Sequence, residues 1–296
     1  MDVPATIDVP LVAALISEQF PRWSHLPITQ VLPGGWDNRT FRLGDRLSVR
    51  LPSADGYVAA VDKENRWLPA LAEHLPLPVP TPVAAGRPGP DYPFPWSVRH
   101  WLEGDTLEDA AEVDRTRLAS DLGAFLTTLR RVPAHGPAGG RHSFYRGCHP
   151  SAYGDEVEHA LDQLRDAVDQ VACRSVWAQA LTSAWSSVPV WFHGDISVGN
   201  LLVRDGRLAA VIDFGTCGVG DPACDLVIAW NTFEGAERRA FREAAGLDPD
   251  TWRRARGWAL WKALLVLTGC LDTDPKRAAG VQHMIGEVLA DHDRFG

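Results

Sequence analysis

The segment from His193 to Gly215 constrains this chain more than any other. Leu201-Leu202-Val203 and Leu208 to Ile212 read as two short apolar strands, and Asp205-Gly206 between them is the dipeptide best suited to a tight hairpin turn. Closing that hairpin carries Asn200, just before the first strand, and Asp213, just after the second, to one open end. An amide oxygen and a carboxylate then meet, both hard oxygen ligands of the kind magnesium takes. Asp195 lies five residues before Asn200, close enough to face the same cluster. Asp and Asn are ordinary turn residues, but three separately placed polar groups converging at one hairpin end point to a site able to hold a metal and orient a hydroxyl.

The run His193-Gly194-Asp195-Ile196-Ser197-Val198-Gly199-Asn200, followed by Ile212-Asp213-Phe214-Gly215, resembles the catalytic and metal-binding loops of the aminoglycoside phosphotransferase family. These are distant relatives of the protein kinases, whose corresponding segments read HRDxxxxN and DFG. The resemblance implies that Asp195 is the catalytic Asp and that Asn200 and Asp213 are metal ligands. Gly194 stands where protein kinases carry Arg, a departure that separates small-molecule phosphotransferases from kinases switched by a phosphorylated loop. Asp221-Pro222-Ala223-Cys224-Asp225-Leu226 matches the family's DPxxDL segment. Asp221 followed by Pro222 is also a good helix start, so Asp221 and Asp225 are read as structural.

Composition fits this reading. The 296 residues, 45% of them hydrophobic, can bury a large core or divide into two lobes. No apolar stretch reaches the roughly 20 residues needed to span a bilayer. The strongest candidate, Trp258 to Leu271, contains Lys262 and reads as a buried helix. The acidic N-terminus lacks a secretory pattern. Five cysteines without a CxxC pair suit reduced thiols, so a cytoplasmic location is expected. A net charge of −9 argues against nucleic acid and suits a cationic partner.

Toward the N-terminus, Val9 to Phe20 has helical spacing. Gly34, Gly35 and Asn38 then lead into strands Thr40 to Leu43 and Leu47 to Leu51. Paired glycines before a hairpin allow backbone amides to approach phosphates, and the resemblance places the family's phosphate-covering loop here. It also places Arg50 where kinases carry a phosphate-contacting Lys, with Glu64 as its helix partner in the segment Tyr57 to His74. Pro69 is expected to disturb that helix. Eight of the twenty residues from Pro76 to Pro95 are proline, which reads as extended linker with short strands. Trp96 to Leu102 reads as a strand. By resemblance this is the inter-lobe hinge, with the backbone of His100 and Leu102 meeting the purine edge. Helices are expected at Tyr153 to Val171, Ser175 to Ser186, Pro222 to Phe233, Pro249 to Leu267 and Pro275 to Asp291. Trp252, Trp258 and Trp261 read as core, and a stacking role for Trp230 stays open.

The expected fold is a two-lobed, protein-kinase-like α+β architecture. Residues 1–98 form a nucleotide-binding lobe, 99–105 a hinge and 106–296 a mainly helical lobe. The implied function is magnesium-dependent transfer of the γ-phosphate of ATP, or GTP, to a hydroxyl of a small molecule. The acceptor expected first is an aminoglycoside or another amine-bearing antibiotic, which would connect the chain to antibiotic resistance. The alternatives are a metabolic kinase acting on an amino alcohol or sugar, a macrolide phosphotransferase, and a nucleotide-binding pseudokinase without turnover. Some of Glu234, Asp272, Asp274, Asp291 and Asp293 are expected to face the cleft beside Asp195 and pair with ammonium groups of a cationic acceptor.

Overall fold

The Asp8 carboxylate accepts the Leu11 N–H at 3.0 Å and starts α1 (Val9–Gln19), which buries Val12, Leu15 and Ile16. The fold comes from a computed structural model that describes residues 6–32, 34–35, 37–89 and 91–296. The chain divides into two compact units. The first comprises Met1–Asp105, Leu201–Arg204 and Ala209–Gly215; the second comprises Thr106–Asn200, Asp205–Leu208 and Thr216–Gly296.

After α1 the first unit runs β1 (Ile28–Gln30), β2 (Asn38–Leu43), β3 (Leu47–Pro52), α2 (Val58–Ala72), β4 (Pro82–Gly86) and β5 (Trp96–His100). The strands form an antiparallel sheet in the order β1-β2-β3-β5-β4. Strand side chains alternate between faces, and here the two faces differ in chemistry. Phe41, Val49 and Val98, in register across three strands, pack with α1 residues in one fully buried cluster. The opposite face carries Ser48, Arg50, Ser97 and Arg99, paired as Ser48 with Arg99 and Arg50 with Ser97. α2 continues through Pro69 to Ala72, and the proline-rich stretch holds β4.

In chain order there follow β6 (Asp105–Thr106), α3 (Arg115–Arg131), α4 (Gly154–Gln163), α5 (Gln170–Ala180), β7 (Val190–Phe192), β8 (Leu201–Arg204), β9 (Arg207–Val211), β10 (Gly218–Gly220), α6 (Ile228–Asn231), α7 (Gly235–Ala245), α8 (Pro249–Cys270) and α9 (Pro275–Phe295). The helix expected over 153–171 is shorter, and the one expected over 175–186 runs instead over Gln170–Ala180. α4 ends at Gln163, and Asp169 caps a new helix by accepting the Ala172 N–H at 2.9 Å. The Gln170 amide, donating to the Leu161 carbonyl at 2.8 Å, fixes the corner between them. The expected helix over 222–233 begins instead as a 3₁₀ segment, Pro222–Leu226. The hairpin turn is as read: Asp205 and Gly206 both have positive φ, 53° and 74°, as a two-residue type I′ connection requires.

α8 is locked at its first half. The Arg254 guanidinium, 1% exposed, donates to Asp221 at 2.6 Å, and Arg256 donates to Asp291 at 2.8 Å. Beyond them the helix turns apolar except for Lys262.

Candidate active site

The sequence-derived site residues fall into two clusters, one in each unit. In the first, the polar face of the sheet meets α2. The Arg50 guanidinium donates to Asp213 Oδ1 at 2.6 Å and to Glu64 Oε1 at 3.3 Å, and lies 3.6 Å from Asp37 Oδ2. Glu64 is 1% exposed and its main partner is Arg99, which donates to both carboxylate oxygens at 3.1 and 2.9 Å. Arg99 is in turn oriented by Ser97 Oγ at 2.8 Å. Burial alone would raise the Glu64 carboxyl, but Arg99 and then Arg50 outweigh it and hold it below its ordinary value. Asp37 shifts the other way, pushed up by burial and by the nearby Asp213 charge. Asp213 adopts φ 64°, a left-handed conformation uncommon for a residue with a Cβ and typical of functional turns.

Gly34 and Gly35 are exposed, and Arg39 Nη1 donates to the Gly35 carbonyl at 2.5 Å. Asn38 is buried at the start of β2, opposite Pro52. The His100 N–H donates to the Thr81 carbonyl at 3.2 Å. Leu102 follows β5 half-buried.

In the second unit, the loop from His193 to Asn200 is built around a buried carboxylate. Asp225 Oδ2 accepts the His193 N–H at 2.9 Å and Oδ1 accepts the Gly194 N–H at 2.7 Å. Asp225 is itself pushed up by burial, against the pull of His193 and of those two bonds. Gly194 has φ +89°, and a Cβ there would lie 2.8 Å from Thr216 Oγ1. The structure thus gives a local reason for Gly in place of the kinase Arg: only Gly fits this backbone. Asp195 follows, its N–H donating to His193 Nδ1 at 3.2 Å. Asn200 Nδ2 donates to the Asp195 carbonyl at 2.9 Å and to Oδ2 at 3.3 Å. This turns the Asn200 amide so that Oδ1 faces away from Asp195. Asp221 and Asp225 are structural, as expected: Asp221 caps the 3₁₀ segment through the Ala223 N–H at 3.0 Å and pairs with Arg254.

Two participants were not foreseen. Lys262 Nζ lies 3.4 Å from Asp195 Oδ1, and both side chains are open to solvent, 33% and 39% exposed. Arg146, Trp258, Trp261, Gly194 and Ile196 line the same pocket. Arg146 stacks over Trp261 at 4.9 Å, Tyr153 stacks on Trp261 at 4.1 Å, and Arg146 has no carboxylate partner among the described residues. The tryptophans read as core are buried, yet Trp258 and Trp261 also wall this pocket. Trp230, 2% exposed and edge-on to Trp252, belongs to the core alone.

None of the five acids of the second unit lines the pocket beside Asp195. Asp291 is buried between Arg256 and Arg242, Asp274 caps α9, and Glu234 pairs with His283. The walls beside Asp195 within this unit are aromatic and cationic.

A family model described as the phosphotransferase enzyme family (APH) matches residues 28–258. An aminoglycoside 3′-phosphotransferase of Escherichia coli is 38% identical over 209 residues, spanning 66% of this chain and 73% of that protein. A solved GDP complex of aminoglycoside 2′-phosphotransferase-IIIa is similar over 97% of this chain and 100% of that one, at a TM-score of 0.69 and 19% identity. A macrolide 2′-phosphotransferase type I is similar over 96% and 99%, at a TM-score of 0.60 and 21% identity. The fold is therefore of the protein-kinase-like α+β kind shared by these phosphotransferases. The chain belongs to the phosphotransferase enzyme family, and its activity is transfer of phosphate to a small molecule. No helix among the described residues is long and apolar enough to cross a membrane.

Proposed function

We propose that this chain moves the γ-phosphate of ATP or GTP onto a hydroxyl of an aminoglycoside, with Asp195 orienting that hydroxyl and accepting its proton. One observation carries the reading: both Asp195 oxygens are positioned by side chains, Oδ2 by Asn200 and Oδ1 by Lys262. A carboxylate so fixed suits a reaction in which positioning matters more than base strength.

Magnesium fits the donor set. Among the described residues no three His, Cys, Asp or Glu side chains group to hold a metal by themselves. Magnesium instead takes one or two protein oxygens and completes its shell with phosphate and water. Asp213 offers a carboxylate and Asn200 an amide oxygen for this role, and bound magnesium would neutralise charge on the phosphates. Arg50, which donates to Glu64 and to Asp213, would grip the nucleotide phosphates. Gly34 and Gly35 would cover phosphates, with Asn38 as the buried anchor of that loop. The backbone of His100 and Leu102 would meet the purine edge, in a hinge over residues 99–105 between a lobe of residues 1–98 and one of residues 106–296.

A second reading follows from the walls beside Asp195. Arg146 and Lys262 disfavour an ammonium group next to the reacting hydroxyl, and the tryptophans favour an apolar face. This supports an acceptor that presents an uncharged ring there, a macrolide included. The deciding experiment is a nucleotide-consumption screen of purified protein, with ATP and GTP, against aminoglycosides, macrolides and amino alcohols. Stimulation by amino alcohols or neutral sugars alone would replace the antibiotic reading with a metabolic one.

A further inference from the structure

We infer that Lys262 is the cation that contacts the transferring phosphoryl group. The inference rests on the phosphotransfer reading of Asp195. In that reaction the acceptor oxygen forms a bond to phosphorus as the bond to the nucleotide's leaving oxygen breaks, and the hydroxyl proton passes to Asp195. The phosphorus must therefore come within bond-forming reach of the oxygen that Asp195 holds. Negative charge is spread over the three equatorial phosphoryl oxygens in the transition state, and a preorganised cation beside them is a principal source of rate.

Arg50, which the resemblance places at the α- and β-phosphates, is already engaged by Asp213, Glu64 and Asp37. Three carboxylates of its own unit face its guanidinium, and it shares one of them, Glu64, with Arg99. Lys262 differs on each point. Its ammonium lies 3.4 Å from the carboxylate that holds the reacting hydroxyl, and among the described residues that carboxylate is its ion-pair partner. It is the only charged residue from Trp258 to Leu271, so the helix tolerates it against its apolar surroundings.

An ion pair this open to solvent adds little to stability, so packing gives no reason for a lysine here. The helix that carries it is fixed upstream by Arg254 and Arg256 to Asp221 and Asp291. The ammonium therefore stands on a rigid base at the end of a flexible stem. A small rotation of that stem moves it from Asp195 to a phosphoryl oxygen placed beside Asp195.

The test uses the full chain with Lys262→Met and Lys262→Arg. Three quantities are measured: steady-state transfer to the best acceptor, acceptor-free hydrolysis of the nucleotide, and calorimetric binding of ADP with and without aluminium fluoride in magnesium buffer. The fluoride complex stands in for the phosphoryl group in flight. Lys262→Met is expected to lower kcat about 10²–10³-fold in both transfer and hydrolysis. The KM for the acceptor and the affinity for ADP alone should stay within about twofold, and the tightening by aluminium fluoride should disappear. Lys262→Arg should restore part of the rate.

A raised acceptor KM with kcat kept would overturn the assignment in favour of an acceptor contact, and unchanged kinetics would overturn it outright. If wild-type protein shows neither transfer nor hydrolysis, the fluoride measurement still decides. Tightening that depends on Lys262 would keep the assignment and place the failure in the choice of acceptor, whereas tightening indifferent to Lys262, or none in wild type, would defeat the assignment.

Discussion

Replacing Arg99 with Met tests how the sheet's polar face is held together. Glu64 is 1% exposed and takes two hydrogen bonds from Arg99 and one, longer, from Arg50 at 3.3 Å. Removing one partner of a buried pair costs about 3–5 kcal/mol, because the other charge is left without compensation. Arg50 remains within reach, so the lower end applies, about 3 kcal/mol at neutral pH. The penalty should depend on pH, and its sign follows from Glu64. The folded value of Glu64 lies below 4.5, so its ionised form adds stability above that pH, lost as pH falls through the folded value. Arg99→Met removes the strongest cause of that depression, so the gap between variant and wild type should be widest near neutrality and narrow on acidification. Urea denaturation of both proteins, followed at about pH 7 and about pH 4, measures it. Adding Glu64→Gln to Arg99→Met should recover part of the loss, since no buried charge is then left unpaired. A penalty under about 1 kcal/mol, or one unchanged with pH, would refute the reasoning.

Three further outcomes are expected. Asp195→Asn should keep fold and nucleotide binding and lower turnover by about two to four powers of ten, measured in steady-state assays with the best acceptor. Asp213→Ala should remove the magnesium dependence of nucleotide affinity in calorimetric titrations, and should also release Arg50 from its 2.6 Å partner. Gly194→Ala should cost about 1–3 kcal/mol in thermal or chemical denaturation, since its φ is +89° and the new methyl would meet Thr216; wild-type stability in that variant would mean the loop can relax.

What was legible in the sequence was local. The hairpin turn is written in Asp205-Gly206, and the HGD loop and its partner Asp213 lie within one continuous stretch. The residues missed act over long distances in the chain. Arg99 reaches Glu64 across 35 positions and Lys262 reaches Asp195 across 67. Strand alternation could have placed Arg99 on the face of Arg50, but nothing local says which helix that face meets. Lys262 carries a local signal, one charge in an otherwise apolar helix, but nothing local says what that charge meets. The acids of the second unit misled for the opposite reason: Asp291 and Asp274 look free in sequence, while the fold engages one with two arginines and the other with a helix N-terminus. Charge counts in a sequence describe solvent and core together, and only packing separates them.

That separation bears on how the chemistry is divided. The cluster of the first unit holds Asp37, Glu64 and Asp213 against Arg50 and Arg99, three formal negatives and two positives, net −1. A nucleotide triphosphate is itself strongly anionic, so such a cluster repels it unless a cation intervenes. The raised Asp37 carboxyl already registers the crowding of like charges around Asp213. A divalent ion at Asp213 would turn this repulsion into attraction, and it would relieve Arg50 of its shortest contact. The Asp195 pocket has the reverse balance, one carboxylate with Lys262 and Arg146. Its lysine is not matched by a second carboxylate, so it can follow a phosphoryl group without leaving a buried charge behind. An enzyme that must grip a polyphosphate and still let its terminal group depart gains from that asymmetry. On the proposed roles, nucleotide affinity would depend on the metal and the first cluster, and turnover on a mobile cation in the second.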